Sequence, residues 1–113
     1  MITKVQSWGN SQGLRLNRQV LEEAHIAAQR GIHLEISARK GHSLTNGHVA
    51  AMARAAGAKM VLDTDTHTPS DMIDQTFARA VARGAGLSDA EIEAATVANP
   101  RELVERAKKR LAI

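Results

Sequence analysis

Residues 59–69, with the sequence KMVLDTDTHTP, contain the side chains best suited to chemistry. Asp63, Asp65 and His67 directly follow a short apolar run that is typical of a buried strand. Carboxylates and imidazoles are metal ligands, and Pro69 prevents the strand from continuing. The pattern therefore predicts a rigid strand that delivers ligands at its carboxyl end, where α/β proteins often place their sites.

A βαβ unit is predicted to position this stretch. Residues 32–38 alternate between apolar and polar side chains, which indicates a strand, and residues 45–56 have the pattern of a helix. Gly31 and Gly57 each stand between a predicted helix and a predicted strand. We therefore expect strands 32–38 and 60–64 to lie parallel, joined by a right-handed crossover.

The other segments predict an amino-terminal hairpin and several helices. The predicted elements are strands 2–8 and 14–16 around a turn at 9–13, and helices 17–29, 70–83, 88–98 and 99–111. Ser88 and Glu91 form a capping box, and Phe77, Leu103, Val104, Ala107 and Leu111 are predicted to be buried. The fold class is α/β, and the hairpin either pairs with a second chain or extends the parallel pair.

Length and composition restrict the class of protein. The 113 residues suit one small domain with an arm, and the predominance of small apolar side chains predicts a thin core and a homodimer. The absence of cysteine excludes disulfides, thiolate metal sites and cysteine nucleophiles. Neither a signal peptide nor an apolar run of membrane-spanning length is evident, which predicts a cytoplasmic protein without membrane contact.

The excess positive charge lies in the first third of the chain. Residues 1–40 contain six lysines and arginines and three glutamates, whereas the opposite charges balance in residues 41–113. A basic segment suits an anionic partner such as nucleic acid, and a solvated surface explains it equally well.

The amino-terminal sequence WGNSQGLRLNRQVLEEA resembles the swapped-hairpin DNA-binding domains of the AbrB and MazE class of regulators and antitoxins. The resemblance implies that two chains interleave their hairpins and that the hairpin contacts DNA or a cognate toxin. The DNA-contacting residues that it implies are Arg15, Asn10, Ser11, Lys4 and Arg18. Gln6 and Ser7 occupy positions where that class often has cations, which predicts weaker phosphate contacts.

From residue 20 onward the chain is similar to the carboxyl-terminal portion of the polymerase and histidinol phosphatase (PHP) family, metal-dependent phosphoesterases with a distorted (β/α)7 barrel. The segments LEISARKGHSLTNGHV and DTDTH carry the resemblance. It implies that Asp65 and His67 are metal ligands, with Zn or Mn as the metal. The His-x-His pair that opens the family's pattern has no counterpart, since the first strand carries Lys4, Gln6 and Trp8 instead.

The two resemblances together describe a chimera-like chain, with a hairpin arm at 1–19 and a partial PHP-like α/β domain at 20–113. Two ligands from one strand end do not hold a catalytic metal, which needs about three protein ligands. His42 and His48 are candidates for completing the set. We predict a non-catalytic, antitoxin-like binding protein without a catalytic residue. The alternatives are a histidinol-phosphatase-like metallophosphoesterase fragment and a folded chimera without evolved activity.

Overall fold

The computed structural model describes residues 5–8, 11–14 and 18–112, with side chains from residue 22 to residue 112. Its elements are β1 (Val5–Trp8), β2 (Ser11–Leu14), α1 (Arg18–Gln29), β3 (Leu34–Ser37), α2 (Asn46–Ala56), β4 (Met60–Asp63), α3 (Gln75–Gly84), α4 (Asp89–Glu93) and α5 (Asn99–Arg110). A 3-10 turn, Pro69–Asp71, precedes α3, and a π-helical segment, Ala94–Ala98, joins α4 to α5. The described helices include none that is both long enough and apolar enough to cross a membrane.

The parallel pair β3 and β4 confirms the predicted α/β class. Leu34 lies beside Met60 and Ser37 beside Asp63, and α2 connects the two strands. Gly31 and Gly57 adopt φ angles of +70° and +72°, so each reverses the chain between a helix and a strand as predicted. The fold is mostly helical around this small sheet.

The antiparallel strands β1 and β2 form a separate two-stranded sheet. Val5 pairs with Leu14 and Trp8 with Ser11, so the predicted turn at 9–13 includes residues 11–13 that in fact belong to a strand. Residues 11–13 belong to the second strand, although they are turn-forming residue types, because the backbone pairing extends through them. The predicted strand positions 15 and 16 lie outside the described residues.

The main buried cluster confirms the predicted thin, alanine-rich core. Six of its ten members are alanines, and the large side chains Ile36 and Ile92 are completely buried. Alanine lets α2 and the π-helical segment approach the sheet closely, but each alanine buries little apolar area. Ion pairs add to these contacts: the Arg54 guanidinium contacts both Glu91 carboxylate oxygens, at 2.9 and 3.1 Å.

The carboxyl-terminal helices differ from the prediction in their boundaries. Helix α3 begins at Gln75 and not at residue 70, because the Asp74 side chain accepts a hydrogen bond from the Phe77 N–H (2.8 Å) and caps the helix there. The capping box of Ser88 and Glu91 is confirmed. Arg54 and this capping box lower the pKa of Glu91 to about 2.

The prediction that α5 buries an apolar stripe is wrong. Val104 and Leu111 are 54% and 68% exposed, and Phe77 on α3 is 52% exposed. The face of α5 that meets the body instead carries polar side chains, which bond to β4, to the residue before β4 and to the turn before β3. These are Asn99, Glu102 and Arg106, with bonds to Met60, Lys59 and Gly31.

We expect Asn99→Ala to lower the free energy of unfolding by about 1–3 kcal/mol. Asn99 is 8% exposed, and its Nδ2 donates to the Met60 carbonyl oxygen at 2.7 Å. Alanine would leave this β4 carbonyl without a partner. Urea unfolding measures the change, with the exposed Gln29→Ala on α1 as control. Equal stability of the two variants would contradict a structural role for Asn99.

Candidate functional site

The carboxyl ends of β3 and β4 meet in an ion pair between Arg39 and Asp65. Arg39 Nη1 lies 2.8 Å from Asp65 Oδ2. Asp65 has a φ angle of +46°, a left-handed conformation that aspartate adopts more readily than most residues. The two strand ends are therefore joined by side chains beyond the last backbone pair of the sheet.

His67 lies beside Asp65, as the predicted metal-ligand pair requires. Its Nδ1 donates to the Asp65 carbonyl oxygen at 2.6 Å and lies 3.9 Å from Asp65 Oδ1. The next turn is held by Asp71, whose Oδ2 accepts from the backbone N–H groups of His67 and Thr68 at 2.9 and 3.0 Å. These two backbone hydrogen bonds lower the pKa of Asp71.

The described residues do not complete a metal site around this pair. No three histidine, aspartate or glutamate side chains in the described part of the chain come together in a metal-binding arrangement. His42 and His48 therefore do not supply the missing ligand. Asp65 Oδ2 already accepts from Arg39, and His67 Nδ1 already donates to a backbone oxygen. A catalytic metal needs about three protein ligands, so a metal at this pair would require a further ligand from outside the described residues.

A carboxyl pair, Glu35 and Asp63, lies on the face of the sheet opposite the core. Glu35 on β3 is a neighbour of Val61 on β4, and Asp63 is two residues further along. A hydrogen bond with Asp63, burial, and the negative charges of Asp63 and Asp65 raise the pKa of Glu35 to about 7. Two carboxyl groups can share a hydrogen bond only if one holds a proton, so this pair retains a proton near neutral pH.

A groove of about 660 Å³ runs along this open face of the sheet. Glu35 and Asp63 line it at the carboxyl ends of the strands. Residues from α5 and from the turn before β3 form the remaining walls, and these include Arg30, Arg106 and Arg110. The groove therefore has acidic and basic portions on one continuous surface.

The His33 imidazole is shielded from solvent, although the alternation in residues 32–38 places it on the polar side of its strand. Both of its ring nitrogens are buried and neither forms a hydrogen bond of normal geometry in the described part of the chain. This burial lowers the pKa of His33. The nearby negative charge of Glu102 partly opposes the decrease, and the positive charges of Arg106 and Lys59 reinforce it. The lowered pKa favours the neutral imidazole at the edge of the groove.

The sequence predictions missed the pairing of Glu35 with Asp63, although a signal for it existed. Alternation placed Glu35 on the polar side of its strand, and the predicted parallel pairing placed Asp63 on the neighbouring strand. The role of Asn46 had no such signal. Its side chain exchanges two hydrogen bonds with the Ser37 backbone, at 2.8 and 3.0 Å, and fixes the end of β3.

The predicted DNA-contacting residues lie at the edge of the described chain. Ser11 begins β2 and Arg18 begins α1. Lys4, Asn10 and Arg15 lie outside the described residues. Their contact with DNA stays a prediction.

Comparisons with known proteins give one curated relative of undescribed function. The chain is 45% identical over 85 residues to an uncharacterized protein of Methanocaldococcus jannaschii. The match covers 75% of this chain but 39% of the relative, so the chain spans about two fifths of that protein's length. No protein-family model matches the chain, and no solved structure matches it.

We expect Glu35→Gln to stabilise the protein more at pH 8 than at pH 5. The pKa of Glu35 is about 7 in the fold and about 4.5 when the residue is unperturbed, so the folded state binds more protons between these values. The protonated Glu35 therefore stabilises the fold fully below about pH 4.5, and this stabilisation is lost as the pH rises through 7. Glutamine can still donate to Asp63 without a charge.

Chemical denaturation at the two pH values measures this effect. The gain at pH 8 should be about 1 kcal/mol or less, because solvent screens these partly exposed groups. Glu105→Gln makes the same change at an exposed site on α5 and serves as control. A stabilisation by Glu35→Gln that is equal at both pH values would contradict the shared proton.

Proposed function

We propose that the chain is a non-catalytic, antitoxin-like binding protein whose amino-terminal hairpin contacts DNA. The hairpin sequence resembles the AbrB and MazE class, and the excess positive charge lies in residues 1–40. The antiparallel pairing of β1 with β2, followed by α1, is compatible with that class. A cognate toxin is the alternative partner, and interleaved hairpins would make the chain a homodimer.

The contacts at the strand ends support a non-catalytic role. The side chains that resemble PHP metal ligands bond to other parts of the same turn, Asp65 to Arg39 and His67 to the Asp65 backbone. The Arg39 guanidinium neutralises the charge of the Asp65 carboxylate, which weakens its attraction for a cation. In this proposal, residues 20–113 act as a partial PHP-like scaffold and interaction surface for the hairpin at 1–19.

We expect Arg15→Ala to weaken DNA binding in a gel-shift series on the complete chain. Loss of one cation from a phosphate or base contact should lower affinity about fivefold or more and reduce the salt dependence by about one ion. The Arg101→Ala variant removes the same charge from an exposed position on α5 and serves as control. Measurements at several salt concentrations distinguish a specific contact from general attraction.

Two outcomes would contradict DNA recognition by the hairpin. One is the absence of binding by the wild-type chain at low salt. The other is an equal loss of affinity in the Arg15→Ala and Arg101→Ala variants, which would assign binding to net charge alone.

A second candidate function is that of a PHP-type metal-dependent phosphoesterase fragment. The proximity of Asp65 to His67 favours it, together with the carboxyl pair on the adjoining face of the sheet. Because the described residues supply no third ligand, this candidate requires one from the rest of the chain or from a second chain.

We expect no Asp65-dependent phosphatase activity if the non-catalytic proposal is right. Purified protein incubated with Zn or Mn would be tested by metal analysis and with a generic phosphate ester, beside the Asp65→Ala and Asp89→Ala variants. Asp89 is an exposed aspartate on α4 and is a matched control. Stoichiometric metal and turnover that only Asp65→Ala abolishes would favour the phosphoesterase. The absence of metal binding and phosphatase turnover here, together with the absence of DNA binding in the gel shift, would favour a chimera without activity.

A further inference from the structure

The groove on the open face of the parallel sheet contains cations that have no counter-ion among the described residues. Arg30 and Arg110 both line it, and neither guanidinium forms an ion pair or hydrogen bond within the described part of the chain. Arg106, also a groove residue, is one helical turn before Arg110 on the same face of α5. Like charges at this spacing destabilise a helix, so a bound anion would relieve the repulsion.

The Arg106 guanidinium fixes the position of this basic portion. Its Nη1 donates to the Gly31 carbonyl oxygen at 2.8 Å, and its Nη2 donates to Glu102 at 3.1 Å. Because Glu102 partly neutralises Arg106, the charge available to a ligand comes mainly from Arg30 and Arg110. Arginine forms paired hydrogen bonds with planar carboxylates, which makes a carboxylate a suitable anion.

The other portion of the groove is acidic. Glu35 and Asp63 face it, and Asp65 is close enough to influence Glu35 electrostatically. Arg106 bonds to Gly31 in the turn before β3, whereas Glu35 and Asp63 lie further toward the carboxyl ends of the strands, so the basic and acidic portions lie at different ends of the groove. The acidic portion would repel a polyanion such as nucleic acid and would attract an ammonium group.

Apolar side chains lie between the two charged portions. Val61, Leu103 and Ala107 contribute to the walls, and Ile32, which also lines the groove, is 51% exposed. The volume of about 660 Å³ is within the usual range for small-molecule sites. An aliphatic segment would fit this middle part.

We propose that this groove binds a small zwitterion, with a carboxylate at the arginines, an ammonium group at Glu35 and Asp63, and an aliphatic linker between them. The site is separate from the hairpin and does not depend on DNA binding. It requires no metal and no chemical step. The ligand class follows from the two opposite charges and from the apolar wall that connects them.

The test uses 6-aminohexanoate as the probe, with isothermal titration calorimetry on the complete chain. Hexanoate and hexylamine each retain one of the two charged groups and the aliphatic chain. We expect 6-aminohexanoate to bind roughly tenfold more tightly than either, because only it satisfies both charged portions. The titrations are carried out at pH 8, above the pKa of about 7 of Glu35, so that its carboxylate is charged. The Arg110→Ala and Glu35→Gln variants should then each weaken the binding of 6-aminohexanoate roughly five- to tenfold.

Two matched substitutions serve as controls, Arg101→Ala and Glu105→Gln on α5, and circular dichroism verifies that each variant is folded. Both residues are exposed and neither lines the groove. Unchanged binding in these variants, with loss in the groove variants, would support the site. Equal binding of hexanoate and 6-aminohexanoate, equal losses in groove and control variants, or no binding at 10 mM probe, roughly the weak limit of specific recognition, would overturn it.

Discussion

The parallel sheet has two strands, β3 and β4, so each strand has one edge whose backbone groups the other strand cannot reach. Buried polar groups of the main chain need partners, and two buried asparagines supply them. Asn46 exchanges two hydrogen bonds with Ser37 on β3, and Asn99 donates to Met60 on β4. Because Asn46 begins α2 and Asn99 begins α5, the same bonds attach these helices to the strands. A core built largely from alanine depends on such directional contacts more than a core of larger side chains would.

The arrangement of charge on the open face has a cost to folding. Carboxyl groups gather at the carboxyl ends of the strands, while two arginines without a partner in the described part of the chain, Arg30 and Arg110, line the opposite part of the groove. Like charges within each set repel one another, and the His33 imidazole, whose buried nitrogens have no hydrogen-bond partner that the structure describes, lies nearby. Proteins tend to retain such local conflicts where a surface has a role beyond stability. The interior side of the sheet shows no comparable conflict, since apolar side chains form its cluster.

The parts of the fold that depend on local signals could be predicted from the sequence. Alternation at 32–38, the apolar run before Asp63, and the glycines at 31 and 57 correctly indicated β3, α2 and β4. The features that depend on distant partners could not. The environment of His33 is set by Glu102 and Arg106 on α5, which no local pattern relates to it. Likewise, proximity of Asp65 to His67 was predictable, but the bond from Arg39 that occupies Asp65 depends on how two strand ends meet.

The π-helical segment Ala94–Ala98 makes the number of residues between α4 and α5 a strict requirement for the fold. A π turn contains one more residue than an α turn, and one residue corresponds to about 100° of helical rotation. Deleting a residue here would allow a continuous α-helix and would improve its local hydrogen bonding. It would also rotate α5 so that Asn99 no longer pointed at Met60 and Arg106 no longer reached Gly31. Related chains that keep these two contacts should therefore accept substitutions at the exposed Glu93 and Ala98, but neither a larger side chain at the fully buried Ala95 nor a single-residue deletion.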